Sequence, residues 1–159
     1  MGGRVVKYAK YKRQPEAVVD LFSCVPHDMR MSLYDYFVHI KPNIFVPIPL
    51  HKSVVGIRGF NQSSVFAHIL TQAFAIPTVS LVEKLSEREP QSKMSSNMRR
   101  KNVRGLYHIN EHVVPSVEGK TVCIVDDVVT TGTTLEEVSR VLRPYAKAVY
   151  GITLLRSFE

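Results

Sequence analysis

Two adjacent carboxylates and a short hydroxyl-rich loop are the residues of this sequence best suited to chemistry. Asp126 and Asp127 follow a run of apolar residues, and small residues follow the acids almost at once, namely Thr130, Thr131, Gly132, Thr133 and Thr134. The backbone N–H groups of such a loop, with the positive end of a helix that begins there, can bind one phosphate group. Adjacent carboxylates can accept hydrogen bonds from a vicinal diol or bind a divalent cation, directly or through water. Together the acids and the loop predict a site for a ribose 5-phosphate.

The elements that must position these residues can also be predicted. Residues 122–125 are apolar and mostly β-branched, which is typical of a strand buried on both faces in a parallel sheet. Leu135, Val138 and Leu142 then recur at helical spacing. Thr134 with Glu137 predicts a capping box at the start of that helix.

Strands and helices alternate along the rest of the chain. Helices are predicted at about residues 17–22, at 27–40, and after Asn61, which would cap its helix. Strands are predicted at residues 44–48, 78–81, 106–109 and 149–155. This alternation predicts an α/β protein with a doubly wound parallel sheet, formed as a single domain by residues 1–159.

The composition excludes several classes of protein. The 159 residues are 45% hydrophobic, which is enough apolar surface for one proper core. The sequence has no run of about 18 apolar residues and no signal peptide at its start, so we expect a cytoplasmic protein. Two cysteines in different elements argue against a disulfide framework and a cysteine-based zinc site. His108 and His112 have no third ligand nearby, so they are interpreted as exposed histidines.

The charge is strongly basic, at +7 with a pI near 9.5. This favours a polyanionic ligand or nucleic acid, although a solvated basic face would explain it equally well. Residues 86–102 have few apolar side chains and predict a long loop, which we interpret as a lid over an anionic ligand. Residues 4–13 alternate cations with Tyr8 and Tyr11; an arm packing on the domain is preferred to a surface that stacks bases.

Other proteins also place acids at the end of a strand. A P-loop NTPase needs Gly-x-x-x-x-Gly-Lys-Ser/Thr, and Gly119-Lys120-Thr121 supplies only the tail of that motif. A receiver domain would carry its paired acids nearer the start of the chain. A core strand followed by an ordinary acidic loop is the remaining alternative.

Several motifs in this order resemble a known family. Residues 122–134 resemble the phosphoribosyl pyrophosphate (PRPP) signature of type I phosphoribosyltransferases. The runs that are similar to the ComF (ComFC) family, over about residues 45–156, are Pro47-Ile-Pro-Leu50, Arg58-Gly-Phe-Asn-Gln62, and Gln91 followed by Arg99-Arg-Lys-Asn-Val103. The resemblance therefore implies the fold of a type I phosphoribosyltransferase with a flexible lid loop.

The resemblance also implies roles for individual residues. Asp126 and Asp127 would be catalytic and would hold Mg²⁺, directly or through water or PRPP. The implied pyrophosphate-binding residues are Pro49, Leu50, His51, Lys52 and Arg58. The implied lid residues are Arg88, Gln91, Arg99, Arg100 and Asn102.

The function implied by the resemblance is PRPP binding in natural transformation, the uptake of single-stranded DNA. Mg-dependent phosphoribosyl transfer, a glycosyltransferase reaction, is one interpretation; a catalytically silent protein that binds single-stranded DNA or senses PRPP is the alternative. Implied partners are PRPP, single-stranded DNA, other DNA-uptake proteins and a second copy of the chain, in the cytoplasm or at the inner face of the membrane. The family's cysteine-rich zinc module is missing, so no zinc is expected. Thr130 stands where purine-using relatives have a carboxylate, so a purine acceptor gains no support.

Overall fold

The computed structural model of the protein describes residues 15–85 and 105–157. The helices are α1 (Glu16–Ser23), α2 (His27–Ile40), α3 (Lys52–Arg58), α4 (Gln62–Phe74) and α5 (Thr133–Leu142), with a 3₁₀ helix at Glu111–Ser116. The strands are β1 (Ile44–Pro47), β2 (Val82–Lys84), β3 (Tyr107–Ile109), β4 (Thr121–Val129) and β5 (Ala148–Arg156). The predicted lid and the basic segment at residues 4–13 lie outside the described residues.

A parallel sheet in the order β1-β4-β5 forms the centre of the fold. Strand β4 lies in the middle, as its uninterrupted apolar run predicts. It pairs with β1 from Val122 to Val125 and with β5 along most of its length. Strands β2 and β3 form a separate antiparallel pair.

Helices cover both faces of the parallel sheet, as a doubly wound fold requires. Val122 and Ile124 of β4 pack in one cluster with Val138 and Leu142 of α5. The alternate residues Cys123 and Val125 pack on the opposite face with residues of α2 and α4, including Phe37, Phe66 and Leu70. Side chains alternate between the two faces of a strand, so this one apolar run supplies two cores.

One predicted strand is wrong in its position. Thr78 makes an isolated parallel bridge to Phe45 of β1, and the next strand begins only at Val82. Residues 82–84 pair with β3 instead of extending the parallel sheet. The β-branched residues near Thr78 have strand propensity, but a strand also needs a neighbour along its whole length.

Helix α2 begins at His27 and ends at Ile40 as predicted. Asn61 caps α4, also as predicted, because its Oδ1 accepts from the Ser63 N–H at 3.1 Å.

Within residues 15–85 and 105–157, no helix combines the length and apolar character needed to cross a membrane.

Candidate functional site

The acidic pair lies where β4 extends past its neighbour β1. The pairing of the two strands ends at Pro47 opposite Val125, and the N–H of Ile48 donates to the carbonyl of Val125 at 2.9 Å. Strand β4 continues to Val129. Asp126 and Asp127 therefore lie beyond the end of β1, at the carboxyl end of the sheet, where ligands bind in open α/β folds.

The two carboxylates are almost fully buried, with 9% of Asp126 and 8% of Asp127 exposed. Oδ1 of Asp126 accepts from the Ser63 hydroxyl at 3.0 Å and from the Asp127 N–H at 2.9 Å. Burial, and then the neighbouring charge of Asp127, raise the pKa of Asp126 to about 7. Near neutral pH the Asp126 carboxyl is therefore divided between its protonated and ionised forms.

The loop after β4 lines an open cavity together with Asp126. Gly132 has a φ of 78° and is the N-cap of α5. A Cβ built on Gly132 would have no atom within 4 Å, so glycine is required by the left-handed backbone and not by lack of space. The Thr131 and Thr133 hydroxyls lie 2.8 Å apart. The first N–H groups of a helix have no partner within it, so this end of α5 can receive an anion.

The predicted capping box is wrong. Helix α5 begins at Thr133, one residue before the predicted cap at Thr134, because Gly132 supplies the turn into the helix. Glu137 instead accepts a hydrogen bond from the Gly105 N–H at 2.6 Å and two from the Arg140 guanidinium, both at 2.9 Å. This buried carboxylate ties α5 to the backbone just before β3.

The loop after β1 is held beside the acids by hydrogen bonds. The Asn61 side-chain amide donates to the carbonyl of Ile48 at 2.8 Å. His51 caps α3, and its Nδ1 accepts from the Ser53 N–H at 3.3 Å. Pro49 and Leu50, both half-buried, lie between these anchors.

The structure thus brings three of the predicted groups to one end of the sheet: the acids, the loop at residues 130–134, and residues 49–51. The side chains of Lys52 and Arg58 lie outside what the structure describes, although their backbone forms the two ends of α3. The predicted lid residues Arg88, Gln91, Arg99, Arg100 and Asn102 also lie outside the described residues.

Sequence reasoning missed two residues that contact or approach the acids. Ser63 contacts Asp126 directly, and its only signal in the sequence is its place just after the Asn61 cap. Tyr107 is buried on β3, where burial, and then the charges of Asp126 and Glu137, raise its pKa to about 12. Nothing in the sequence distinguishes Tyr107 from an ordinary strand residue.

The donor set limits what metal the site could hold. Among residues 15–85 and 105–157, no group of three or more His, Cys, Asp or Glu residues could hold a metal ion. The two carboxylates offer hard oxygen ligands, which suit Mg²⁺. This ion usually binds one or two carboxylates and keeps waters or phosphate oxygens in its remaining coordination positions.

Known proteins resemble this chain in sequence. The profile of the phosphoribosyl transferase domain family matches residues 53–155. Competence protein ComFC of Bacillus subtilis (strain 168) is 36% identical, over 74% of this chain and 46% of that protein. Competence protein F of Haemophilus influenzae (strain Rd) is 30% identical, over 64% of this chain and 44% of that protein. The chain spans about half the length of the curated relatives it matches.

A solved structure resembles the chain in fold. The crystal structure of an adenine phosphoribosyltransferase matches with a TM-score of 0.51 at 16% identity, over 92% of this chain and 74% of that one. At this identity the likeness shows the fold alone, and it confirms the predicted α/β architecture.

Proposed function

The chain is a ComF-type member of the phosphoribosyl transferase domain family, and on that premise we propose that it binds PRPP at the carboxyl end of β4. The observation that carries the proposal is the cavity shared by Asp126 and the loop around Gly132. A phosphate group and a sugar diol are joined within one ribose 5-phosphate, so a single ligand can occupy both parts of this cavity.

Each part of the cavity suits one part of the ligand. The N-terminal N–H groups of α5 and the threonine hydroxyls would bind the 5-phosphate. The Asp126 and Asp127 carboxylates would accept hydrogen bonds from the ribose hydroxyls, and bonds of this charge-assisted kind are strong in a buried site. The loop at residues 49–51, with Lys52 and Arg58, would bind the pyrophosphate, and the cations of residues 88–102 would cover it.

Mg²⁺ fits this proposal as a companion of PRPP. The acidic pair would hold it together with oxygens of the ligand, and the ion would supply positive charge beside the pyrophosphate. Proton loss from Asp126 would accompany binding, because a nearby cation favours the ionised carboxylate.

Phosphoribosyl transfer would follow from the same geometry. Departure of pyrophosphate leaves positive charge on the anomeric carbon, so the protein's part is to position the ligand and to stabilise charge. In this proposal the acids would contact the ribose, and Lys52 and Arg58 would neutralise the pyrophosphate, which suits the direction in which charge separates.

We also propose a role in DNA uptake, in the cytoplasm at the inner face of the cell membrane. Support comes from the two relatives named competence proteins and from the net charge of +7, which favours a polyanion. Single-stranded DNA is the ligand of the competing hypothesis, in which the site performs no transfer.

The test is calorimetric titration of the protein with Mg-PRPP. Asp126→Asn combined with Asp127→Asn removes two charge-assisted contacts and should weaken binding by roughly 3 kcal/mol, or more than about 100-fold. The matched control is Asp28→Asn with Asp35→Asn, which removes the same two charges from exposed positions on α2 and should leave affinity unchanged.

Two outcomes would contradict the proposal: no binding of Mg-PRPP by the parent protein, or equal affinity in the two double variants. Fluorescence anisotropy with a labelled single-stranded oligonucleotide decides between the ligands. Competition by Mg-PRPP would indicate a shared site, and DNA binding without PRPP binding would favour the competing hypothesis.

A further inference from the structure

Ser63 makes a buried hydrogen bond to the acidic pair from a distant part of the chain. Its side chain is 3% exposed, and its hydroxyl donates to Oδ1 of Asp126 at 3.0 Å. We infer that Ser63 is a positioning residue, which holds the Asp126 carboxylate in the orientation that the ligand meets. The link to the ligand rests on the proposed function, whereas the link to Asp126 does not.

Two donors on one oxygen fix the carboxyl group. The Asp127 N–H approaches the same Oδ1 at 2.9 Å, so rotation of the carboxyl about its Cβ–Cγ bond would break both bonds in a buried place. A buried donor left without its acceptor is costly. The orientation of the other carboxyl oxygen of Asp126, Oδ2, is therefore fixed as well.

Ser63 is itself held in place by the loop after β1. The Asn61 side chain donates to the Ile48 carbonyl and accepts from the Ser63 N–H, at 2.8 and 3.1 Å. A continuous path of hydrogen bonds thus runs from Ile48 through Asn61 and Ser63 to Asp126. This path links the loop proposed to bind pyrophosphate to the carboxylate proposed to bind ribose. It therefore fixes the distance between the two halves of the proposed site.

The first measurement needs no ligand. The Asp127 N–H shares Oδ1 of Asp126 with the Ser63 hydroxyl, so the Asp127 amide signal in the NMR spectrum reports the position of that oxygen. We expect Ser63→Ala to shift this signal at a fixed pH. The matched control Ser64→Ala, at the neighbouring serine, should leave the signal at its parent position, and Ser63→Thr, which keeps a hydroxyl, should restore it.

The second measurement is affinity for Mg-PRPP. Ser63→Ala should bind roughly tenfold more weakly than the parent, whereas Ser64→Ala should bind as the parent does. Ser63→Thr should recover most of the affinity, because it changes the packing but keeps the hydrogen bond, and a role confined to packing would not predict that recovery.

An unchanged Asp127 amide signal in Ser63→Ala, or the same shift in Ser64→Ala, would overturn the inference. A shifted signal with parent-like affinity in Ser63→Ala would overturn its link to the ligand. Failure of the parent to bind Mg-PRPP would overturn the proposed function instead, and the Asp127 amide signals would still decide whether Ser63 positions Asp126.

Discussion

Asp126→Asn should make the protein more stable at pH 8, although it removes a group proposed to bind ligand. Asp126 has a pKa of about 7 in the folded protein against an ordinary value of 3.8. The folded state thus holds this proton more tightly than the unfolded state. Between these two values the stability of the fold falls as the pH rises, because the carboxylate must ionise in a buried place beside Asp127.

The difference between the two pKa values sets the size of the effect. It is roughly three pH units, and at about 1.4 kcal/mol per unit the upper bound on the change in the free energy of unfolding is about 4 kcal/mol. The pKa of about 7 already includes the hydrogen bonds that Oδ1 accepts, and asparagine keeps Oδ1 as that acceptor. Its NH₂ group, however, is a buried donor that needs a partner, at a cost of about 1 kcal/mol. We therefore expect a net gain of roughly 2 to 3 kcal/mol at pH 8 and a loss of about 1 kcal/mol near pH 4.

Urea unfolding followed by far-ultraviolet circular dichroism measures this gain. With a slope of about 2 kcal/mol per molar urea for a domain of this size, the midpoint should move up by about 1 M at pH 8. Asp35→Asn, an exposed position on α2, should change stability by less than about 0.5 kcal/mol at each pH. A variant no more stable than the parent at pH 8, or a gain that does not change between pH 5 and pH 8, would refute the reasoning.

Two further predictions concern the backbone around the site. Gly132→Ala should destabilise the fold by about 1 kcal/mol and weaken binding of inorganic phosphate, because alanine is strained at a φ of 78°; Gly56→Ala, inside α3 with open space around its Cα, should instead be neutral or stabilising in the same urea assay. Asn61→Ala should cost about 1 kcal/mol or more through loss of the α4 cap and the Ile48 bond, and a parent-like midpoint in thermal unfolding would show that the cap contributes nothing.

The sequence predicted best the elements whose signal is local. The apolar run at residues 122–125 predicted the central strand, and helical spacing predicted α2 and α5 within a residue or so. The strand expected at residues 78–81 failed because propensity does not reveal whether a neighbour is available along the whole stretch. The capping box failed because Thr134 and Glu137 fit the pattern, while the choice of Gly132 as cap depends on the loop that precedes it.

The contacts around the acidic pair were predicted less completely than the position of the pair in the fold. The acids and the loop adjoin each other in sequence, so their type and spacing were enough to predict their proximity. The contact between Ser63 and Asp126 joins residues far apart in sequence, and no periodic pattern encodes it. The raised pKa of Asp126 likewise depends on burial, which a strand end does not by itself imply.

The β2–β3 pair has a consequence for how this fold can vary. The N–H of Leu85 donates to the carbonyl of Leu106 at 2.9 Å, directly after the pairing of Lys84 with Tyr107. Leu85 and Leu106 are therefore held next to each other, with residues 86–105 between them in the sequence. Loop closure grows costlier only slowly, by about 0.6 kcal/mol for each doubling of length. Evolution or protein engineering can thus change the number of residues between Leu85 and Leu106 at little cost, while α4 and β4, which carry Ser63 and Asp126, keep their places.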